Sequence, residues 1–189
     1  DRVRGALNGL PAPLVEAVVA HVGSNPNLET IRGSAHEQAL LRAFDDARFC
    51  IVILSGWSPE FMINRRLLEK IDSALNRGIT VYIGYGLVKN AHWMSGESWS
   101  VANPRDVMGG SEENGRGKLL IQELPGPANL LVVDDLYAVL GNCNWLSESG
   151  FFNMEKSWKI TDPALVRAQC VAAVRLFVAP ADSAFARQM

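Results

Sequence analysis

The residues between positions 127 and 155 are the part of the sequence whose types and spacing indicate chemistry. An apolar, strand-like run ends in Asp134, and after six further residues Gly141 opens a segment that contains Asn144. Asparagine amides can donate hydrogen bonds to a phosphate, although they carry no positive charge. The alternative is that Asp134 and Asp135 are only polar residues that end a strand before a turn, a position that Asp favours.

This arrangement resembles the phospholipase D superfamily, whose signature is His-x-Lys, four residues, Asp, six residues and Gly-Ser-x-Asn. Asp134, Gly141 and Asn144 stand at the Asp, Gly and Asn positions of that signature. Glu155 lies where bacterial members have an acidic residue that supports the histidine. The Asn-Trp-Leu-Ser run that begins at Asn144 is similar to the bacterial phosphodiesterase branch, and the whole resemblance extends over residues 30–178.

Three positions of the signature depart from the family pattern. Pro127 stands at the His position, Asn129 at the Lys position and Asn142 at the Ser position. In the family a histidine attacks phosphorus, a second histidine protonates the leaving group, lysines neutralise the phosphoryl charge, and no metal or other cofactor is required. Proline has neither a nucleophile nor an acid–base group, and covalent catalysis needs an activated nucleophile. The resemblance therefore implies a degenerate motif at Pro127, Asn129 and Asp134, with no catalytic residue.

A relocated active site is the less favoured alternative, because the chain has only three histidines, His21, His36 and His92. We expect His36 to be exposed in the first turn of a helix, and His92 lies in a Gly-rich stretch. Lys118 is a second candidate for the Lys position, but Arg116 then stands at the His position, Glu123 at the Asp position, and no Gly-Ser-x-Asn follows at the right distance.

The elements that must position the motif alternate between helices and strands. Ser34 and Glu37 are spaced as a capping box at the start of the first helix. The order of elements then predicts an α/β fold. The resemblance implies that this α/β fold is a single phospholipase D-like lobe, in which a mixed, mostly parallel sheet is flanked by helices on both faces. The predicted strands are Phe49–Leu54, Ile79–Tyr85, Lys118–Glu123, Asn129–Asp134, Tyr137–Leu140 and Ser157–Ile160, and the later helices are 60–77 and Pro163–Phe177.

Length and composition indicate one globular domain: 189 residues, 48% of them hydrophobic and 20% charged. We assign residues 1–32 to an N-terminal helical extension, 33–180 to the domain, with a Gly-rich insertion at 87–116, and 181–189 to a C-terminal tail. The net charge of −2 gives no sign of a general nucleic-acid binder. The longest apolar runs are too short for a membrane span.

The three cysteines lack any CxxC spacing, so the sequence predicts neither a disulfide framework nor a zinc cluster. We therefore expect a cytoplasmic protein.

The resemblance leaves three functional hypotheses. Active family members combine two lobes around one pocket, which implies a homodimer or a second phospholipase D-like lobe as partner. The favoured hypothesis is a non-catalytic lobe that binds a phosphodiester or nucleic acid, dimerises or regulates, with a pocket lined by Asn129, Asn142, Asn144 and Glu155. The alternatives are an active phosphodiesterase or nuclease completed by an intact partner lobe, and an interaction module without a pocket.

Overall fold

The computed structural model describes residues 27–56, 65–86, 116–124, 129–146 and 155–177. Within them, seven strands form one sheet in the order β1-β7-β6-β5-β2-β3-β4. The strands are β1 Leu28–Arg32, β2 Cys50–Ser55, β3 Thr80–Tyr85, β4 Leu119–Glu123, β5 Leu130–Val133, β6 Tyr137–Gly141 and β7 Lys156–Ile160. The described helices are α1 Ala35–Asp46, α2 Arg65–Asn76 and α3 Pro163–Val174, which a 3₁₀ turn at Arg175–Phe177 follows.

The sheet is mixed, but most of its strand pairs are antiparallel, so the prediction of a mostly parallel sheet is wrong. Only β2–β3 and β3–β4 are parallel among the described pairs. The pairs β1–β7, β7–β6, β6–β5 and β5–β2 are antiparallel. The helix–strand alternation that suggested parallel neighbours ends at β3. A parallel pair needs a crossover of a dozen or more residues, and the three residues 134–136 between β5 and β6 permit only a hairpin.

Helices cover both faces of the sheet, as predicted. Ile51 and Ile53 of β2 belong to the apolar cluster that α1 and α2 form with the sheet. Val52 and Leu54, which alternate with them, pack in the cluster on the α3 side. A strand that is buried on both faces reads as a continuous apolar run, and this is the pattern that identified β2 in the sequence. No helix in the described ranges is long and apolar enough to cross a membrane.

Strand β1 lies in the segment that we assigned to an N-terminal extension. Leu28–Arg32 pairs with β7 along its whole length and forms one edge of the sheet, so the sheet includes residues before position 33. Only Ile31 of this strand is buried, which explains why its sequence gave little strand signal. The predicted N-terminal helix, nearly all of the Gly-rich insertion and the C-terminal tail lie outside the described residues.

The start of α1 is not held by the capping box that the sequence suggested. Ser34 occupies the N-cap position, but its side chain makes no capping hydrogen bond. Instead, the carbonyl oxygen of Gly33 accepts two hydrogen bonds from His36, one from the backbone N–H at 3.1 Å and one from ring Nδ1 at 2.9 Å. The Gly33 carbonyl therefore satisfies the first-turn N–H of His36 and also fixes the orientation of its ring.

Candidate functional site

The three asparagines at signature positions and Glu155 collect at one end of the sheet's strands. The antiparallel registers place the beginnings of β5 and β7 beside the ends of β2 and β6. Four predicted pocket residues lie at or next to these strand ends, which we call the motif edge: Asn129, Asn142, Asn144 and Glu155. Pro127 lies outside the described residues.

Two of the amides are tied to the end of β2. The side-chain oxygen of Asn129 accepts a hydrogen bond from the backbone N–H of Gly56 at 2.9 Å. The side-chain oxygen of Asn144 accepts the hydroxyl proton of Ser55, whose own oxygen accepts the N–H of Leu146 at 3.1 Å. Both amides thus use their acceptor end within the protein, and the donor end is the part of an amide that suits an anionic oxygen.

Asn142 joins the ends of β6 and β7. The side-chain oxygen of Asn142 accepts a hydrogen bond from the backbone N–H of Lys156 at 2.6 Å. The backbone N–H of Asn142 donates to the carbonyl oxygen of Lys156 at 3.3 Å. Lys156 is also the cross-strand partner of Arg32, so the two cationic side chains lie on the same face of the sheet. The sequence analysis missed this pair because Arg32 belongs to the strand that it did not predict.

Asp134 lies at the other end of β5, away from the motif edge. Its carboxylate accepts backbone N–H hydrogen bonds from Arg48 at 2.7 Å, Phe49 at 2.9 Å and Cys50 at 2.6 Å. The residue is buried, and its φ of 48° lies in the left-handed region. Asp134 therefore holds the start of β2 and the β5–β6 turn together, and it does not line a pocket with the amides.

His36 is 1% exposed, so the prediction of an exposed side chain is wrong. Its Nε2 lies 2.9 Å from the hydroxyl oxygen of Ser157. Its ring packs edge-on against the ring of Trp145, with 5.7 Å between the two ring centres. A carbonyl oxygen can only accept, so Nδ1 carries the proton that bonds to Gly33, and Nε2 accepts the Ser157 hydroxyl. His36 is thus a buried imidazole with both nitrogens engaged in hydrogen bonds.

A thiol and a carboxylate lie beside this imidazole. The buried thiol of Cys143 is hydrogen-bonded to the carboxylate of Glu155, and burial together with that negative charge raises the pKa of Cys143. Oε2 of Glu155 is also buried and has no partner among the described residues. One donor atom from each of His36, Cys143 and Glu155 lies within 4.8 Å of the other two. No local motif signals this cluster, because more than a hundred positions separate His36 from Cys143.

Cys170 differs sharply from Cys143 and predicts selective alkylation, whereas the pKa of Cys50 is raised, first by its hydrogen bond to Cys170 and then by burial. The sulfurs of Cys50 and Cys170 are 3.9 Å apart, and the hydrogen bond from Cys50 lowers the pKa of Cys170 to about 7. Because the thiolate is the nucleophile, iodoacetamide should label Cys170 first in the native protein, at a rate that rises through neutral pH. Cys143 should stay unlabelled until denaturant is added. Mass spectrometry of peptides after timed alkylation measures both rates.

Cys50→Ala is the control for this prediction. It removes the hydrogen bond that stabilises the Cys170 thiolate, so labelling at pH 7 should slow severalfold and recover at higher pH. Equal alkylation rates at Cys143 and Cys170 in the native protein would contradict the burial of Cys143 beside Glu155 and the lowered pKa of Cys170.

Comparison with solved structures identifies the fold. The structure aligns with NucT from Helicobacter pylori at a TM-score of 0.53 and 18% identity, over 79% of this chain and 94% of that one. It aligns with Nuc from Salmonella typhimurium, a phospholipase D family member, at 0.52 and 18% identity, over 79% and 92% of the two chains. This chain has a phospholipase D-like fold. The comparison with protein-family models finds no match, and that with curated proteins finds no significant one.

The phospholipase D-like fold also aligns with parts of longer chains. Phosphatidylserine synthase from Haemophilus influenzae matches at a TM-score of 0.51 and 17% identity, over 90% of this chain and 47% of that one. TrmBL2, an archaeal chromatin protein, matches at 0.51 and 16% identity, over 92% of this chain and 63% of that one. The fold therefore occurs both alone and as one part of a larger protein.

Proposed function

We propose that this chain is a non-catalytic phospholipase D-like lobe that binds a phosphodiester at the motif edge. The observation that supports this most directly is the side-chain chemistry of that edge. Where the signature requires a histidine and a lysine, this sequence has Pro127 and Asn129, and Asn129 is held by the N–H of Gly56.

His36, the only histidine among the described residues, does not replace the missing nucleophile. His36 is buried, and both of its nitrogens are engaged in hydrogen bonds. Asn129 cannot neutralise charge on a phosphoryl group, and electrostatic stabilisation of that charge is commonly the largest catalytic contribution. Amide donors can still bind phosphate oxygens, since binding needs no activated group.

Cationic charge beside the amides favours an anionic ligand. Arg32 and Lys156 are directly opposite each other across β1 and β7, and the Lys156 ammonium lies 5.0 Å from the centre of the Trp158 ring. Like charges in this position are unfavourable, and an anion near both would offset their repulsion. The net charge of −2 does not oppose a local cationic pair, because net charge averages over all faces. The similar fold of TrmBL2, whose structure shows a mode of DNA binding, makes nucleic acid the first phosphodiester to test.

The test is fluorescence anisotropy of a labelled single-stranded oligonucleotide over a series of salt concentrations. We expect binding that weakens with salt, and Lys156→Ala should reduce the slope of log K against log salt by about 0.7 if the lysine contacts one phosphate. Asn129→Ala should weaken binding with little change in slope, because an amide releases no counterion.

Lys159→Ala is the matched control for Lys156→Ala. Lys159 lies on the same strand but on the opposite face, where its ammonium group is 4.3 Å from the centre of the Tyr137 ring. Absence of binding, or an equal loss in both lysine variants, would contradict the proposed site. In the same preparation we expect no hydrolysis of an aryl phosphodiester. Turnover that persists in both Asn129→Ala and Glu155→Gln would show that the motif edge is not where the reaction takes place.

An active enzyme completed by a second lobe is the other candidate. The observation that favours it is the match to only 47% of phosphatidylserine synthase, since a lobe of this size can be part of a larger chain. Co-purification of a catalytically intact phospholipase D-like chain, with turnover only in the mixture, would support this candidate over the non-catalytic one. A homodimer, which sedimentation would reveal, would instead bring together two copies of the same inert motif.

The state of the cysteines favours a reducing compartment such as the cytoplasm. Cys50, Cys143 and Cys170 are all free thiols in the structure. Structural disulfides persist mainly in oxidising compartments.

A further inference from the structure

We propose that His36, Cys143 and Glu155 bind a zinc ion behind the motif edge. Imidazole nitrogen, thiolate sulfur and carboxylate oxygen are the three protein ligand types that zinc prefers. Their donor atoms lie within 4.8 Å of one another. Zinc–ligand bonds of about 2.0–2.3 Å place donor atoms roughly 3–4 Å apart, so the cluster needs to contract by about one ångström.

The three ligands come from three different elements that already meet. His36 lies in the first turn of α1, Cys143 in the turn that follows β6, and Glu155 directly before β7. The register of β6 with β7 fixes the second and third of these, and the hydrogen bond between Ser157 and His36 fixes the first. Binding would therefore contract a preformed cluster and would not have to assemble one.

The tautomer of His36 is the one that a metal requires. Nδ1–H donates to the carbonyl oxygen of Gly33, which leaves the lone pair on Nε2. A backbone carbonyl in this role is the usual outer-shell partner of a metal-bound histidine, because it fixes the ring and raises the basicity of the other nitrogen. Zinc at Nε2 would replace the hydrogen bond from the Ser157 hydroxyl, which keeps its proton, and the Ser157 oxygen or a water can then fill the fourth position.

The electrostatics of the cluster also favour a cation. Glu155 places a carboxylate oxygen, Oε2, in a buried position where no described group donates to it. A buried polar atom without a partner is unfavourable. Zinc would satisfy the Glu155 oxygen and would hold Cys143 as a thiolate, whose proton leaves to solvent. No oxidation or reduction is involved.

Cobalt(II) is the probe, because it occupies zinc sites and reports thiolate ligation in its absorption spectrum. The full chain, freed of metal by chelation, should bind one equivalent of Co²⁺ with a sulfur-to-cobalt charge-transfer band, and Zn²⁺ should abolish that band by displacement. Trp145 fluorescence should be quenched in parallel, since its ring contacts His36. Absence of the band in the unmodified chain overturns the proposal.

Isosteric variants identify the ligands without removing the fold. Cys143→Ser should abolish the charge-transfer band, and Glu155→Gln should weaken Co²⁺ binding by at least about tenfold. Cys170→Ser is the matched control and should leave the band unchanged, because its sulfur is paired with that of Cys50. A band that survives Cys143→Ser but disappears in Cys170→Ser would place the metal elsewhere and overturn the proposal. Cobalt binding by the unmodified chain is measured without a phosphodiester, and Cys143→Ser and Cys170→Ser are not used in the oligonucleotide test, which uses Asn129 and Lys156.

Discussion

Replacing Asp134 by alanine should lower the free energy of unfolding by at least about 3 kcal/mol. The carboxylate accepts three backbone N–H groups, from residues 48, 49 and 50, and alanine leaves all three without their acceptor. Alanine also tolerates the left-handed backbone at φ 48° less well than aspartate does. Since domains of this size are stable by only about 5–15 kcal/mol, the loss should be visible as a large shift in a urea transition followed by tryptophan fluorescence.

Two variants separate the cause of this loss from a general effect of charge. Asp134→Asn keeps one acceptor oxygen and a residue type that tolerates left-handed backbone, so it should cost less than alanine. Asp135→Ala removes the neighbouring carboxylate, which is mostly exposed and 4.0 Å from Arg167, and it should change stability by no more than about 0.5 kcal/mol. Similar losses at both positions would show that the three backbone hydrogen bonds do not stabilise the fold as described.

Asp134 also shows how far sequence reasoning reaches. Its spacing to Gly141, Asn144 and Glu155 suggested the fold, because that spacing is a property of neighbouring elements of the chain. Its contacts were not predictable, because the N–H groups that it binds lie more than eighty positions upstream. The signature aspartate is therefore recognised by sequence, whereas its role in joining β2 to the β5–β6 turn requires the structure.

The helices and strands also differ in how well the sequence predicts them. β2 was predicted from a continuous apolar run, and α2 from its helical spacing, because burial imposes those patterns directly. Strand direction leaves no such pattern, and so the sheet was expected to be mostly parallel. β1 left little signal because only Ile31 of its residues is buried.

The candidate site was predicted in part for a related reason. Asn142 and Asn144 follow β6, and the β5–β6 hairpin brings Asn129 beside them, so a local motif places all three at the motif edge. His36 was expected to be exposed because a polar residue in a first helical turn usually faces water. Its burial depends on Ser157, which is 121 positions away. The cationic pair of Arg32 and Lys156 depends on strand pairing in the same way.

Replacing Gly141 by alanine should destabilise the protein by about 3 kcal/mol or more, which exceeds most overpacking substitutions. A Cβ at this position would lie 2.3 Å from the hydroxyl oxygen of Ser157, 2.4 Å from the carbonyl oxygen of Lys156 and 2.5 Å from the Cα of Ser157. Two of these three atoms belong to the backbone of β7, so no side-chain rotation relieves the contact. β6 and β7 must separate, and this movement would also shift Ser157 away from His36. The glycine of the signature is thus required by the approach of two strands at the motif edge.

Two further variants test this explanation in urea denaturation. Gly141→Ala combined with Ser157→Ala removes only the contact with the hydroxyl, so we expect the double variant to remain at least as unstable as Gly141→Ala. Gly78→Ala places a Cβ 4.0 Å from its nearest described neighbour, but at a φ of 87°, so it carries backbone strain of about 1–2 kcal/mol without crowding. If Gly141→Ala costs no more than Gly78→Ala, or if Ser157→Ala restores its stability, then the backbone of β7 is not what excludes a side chain at position 141.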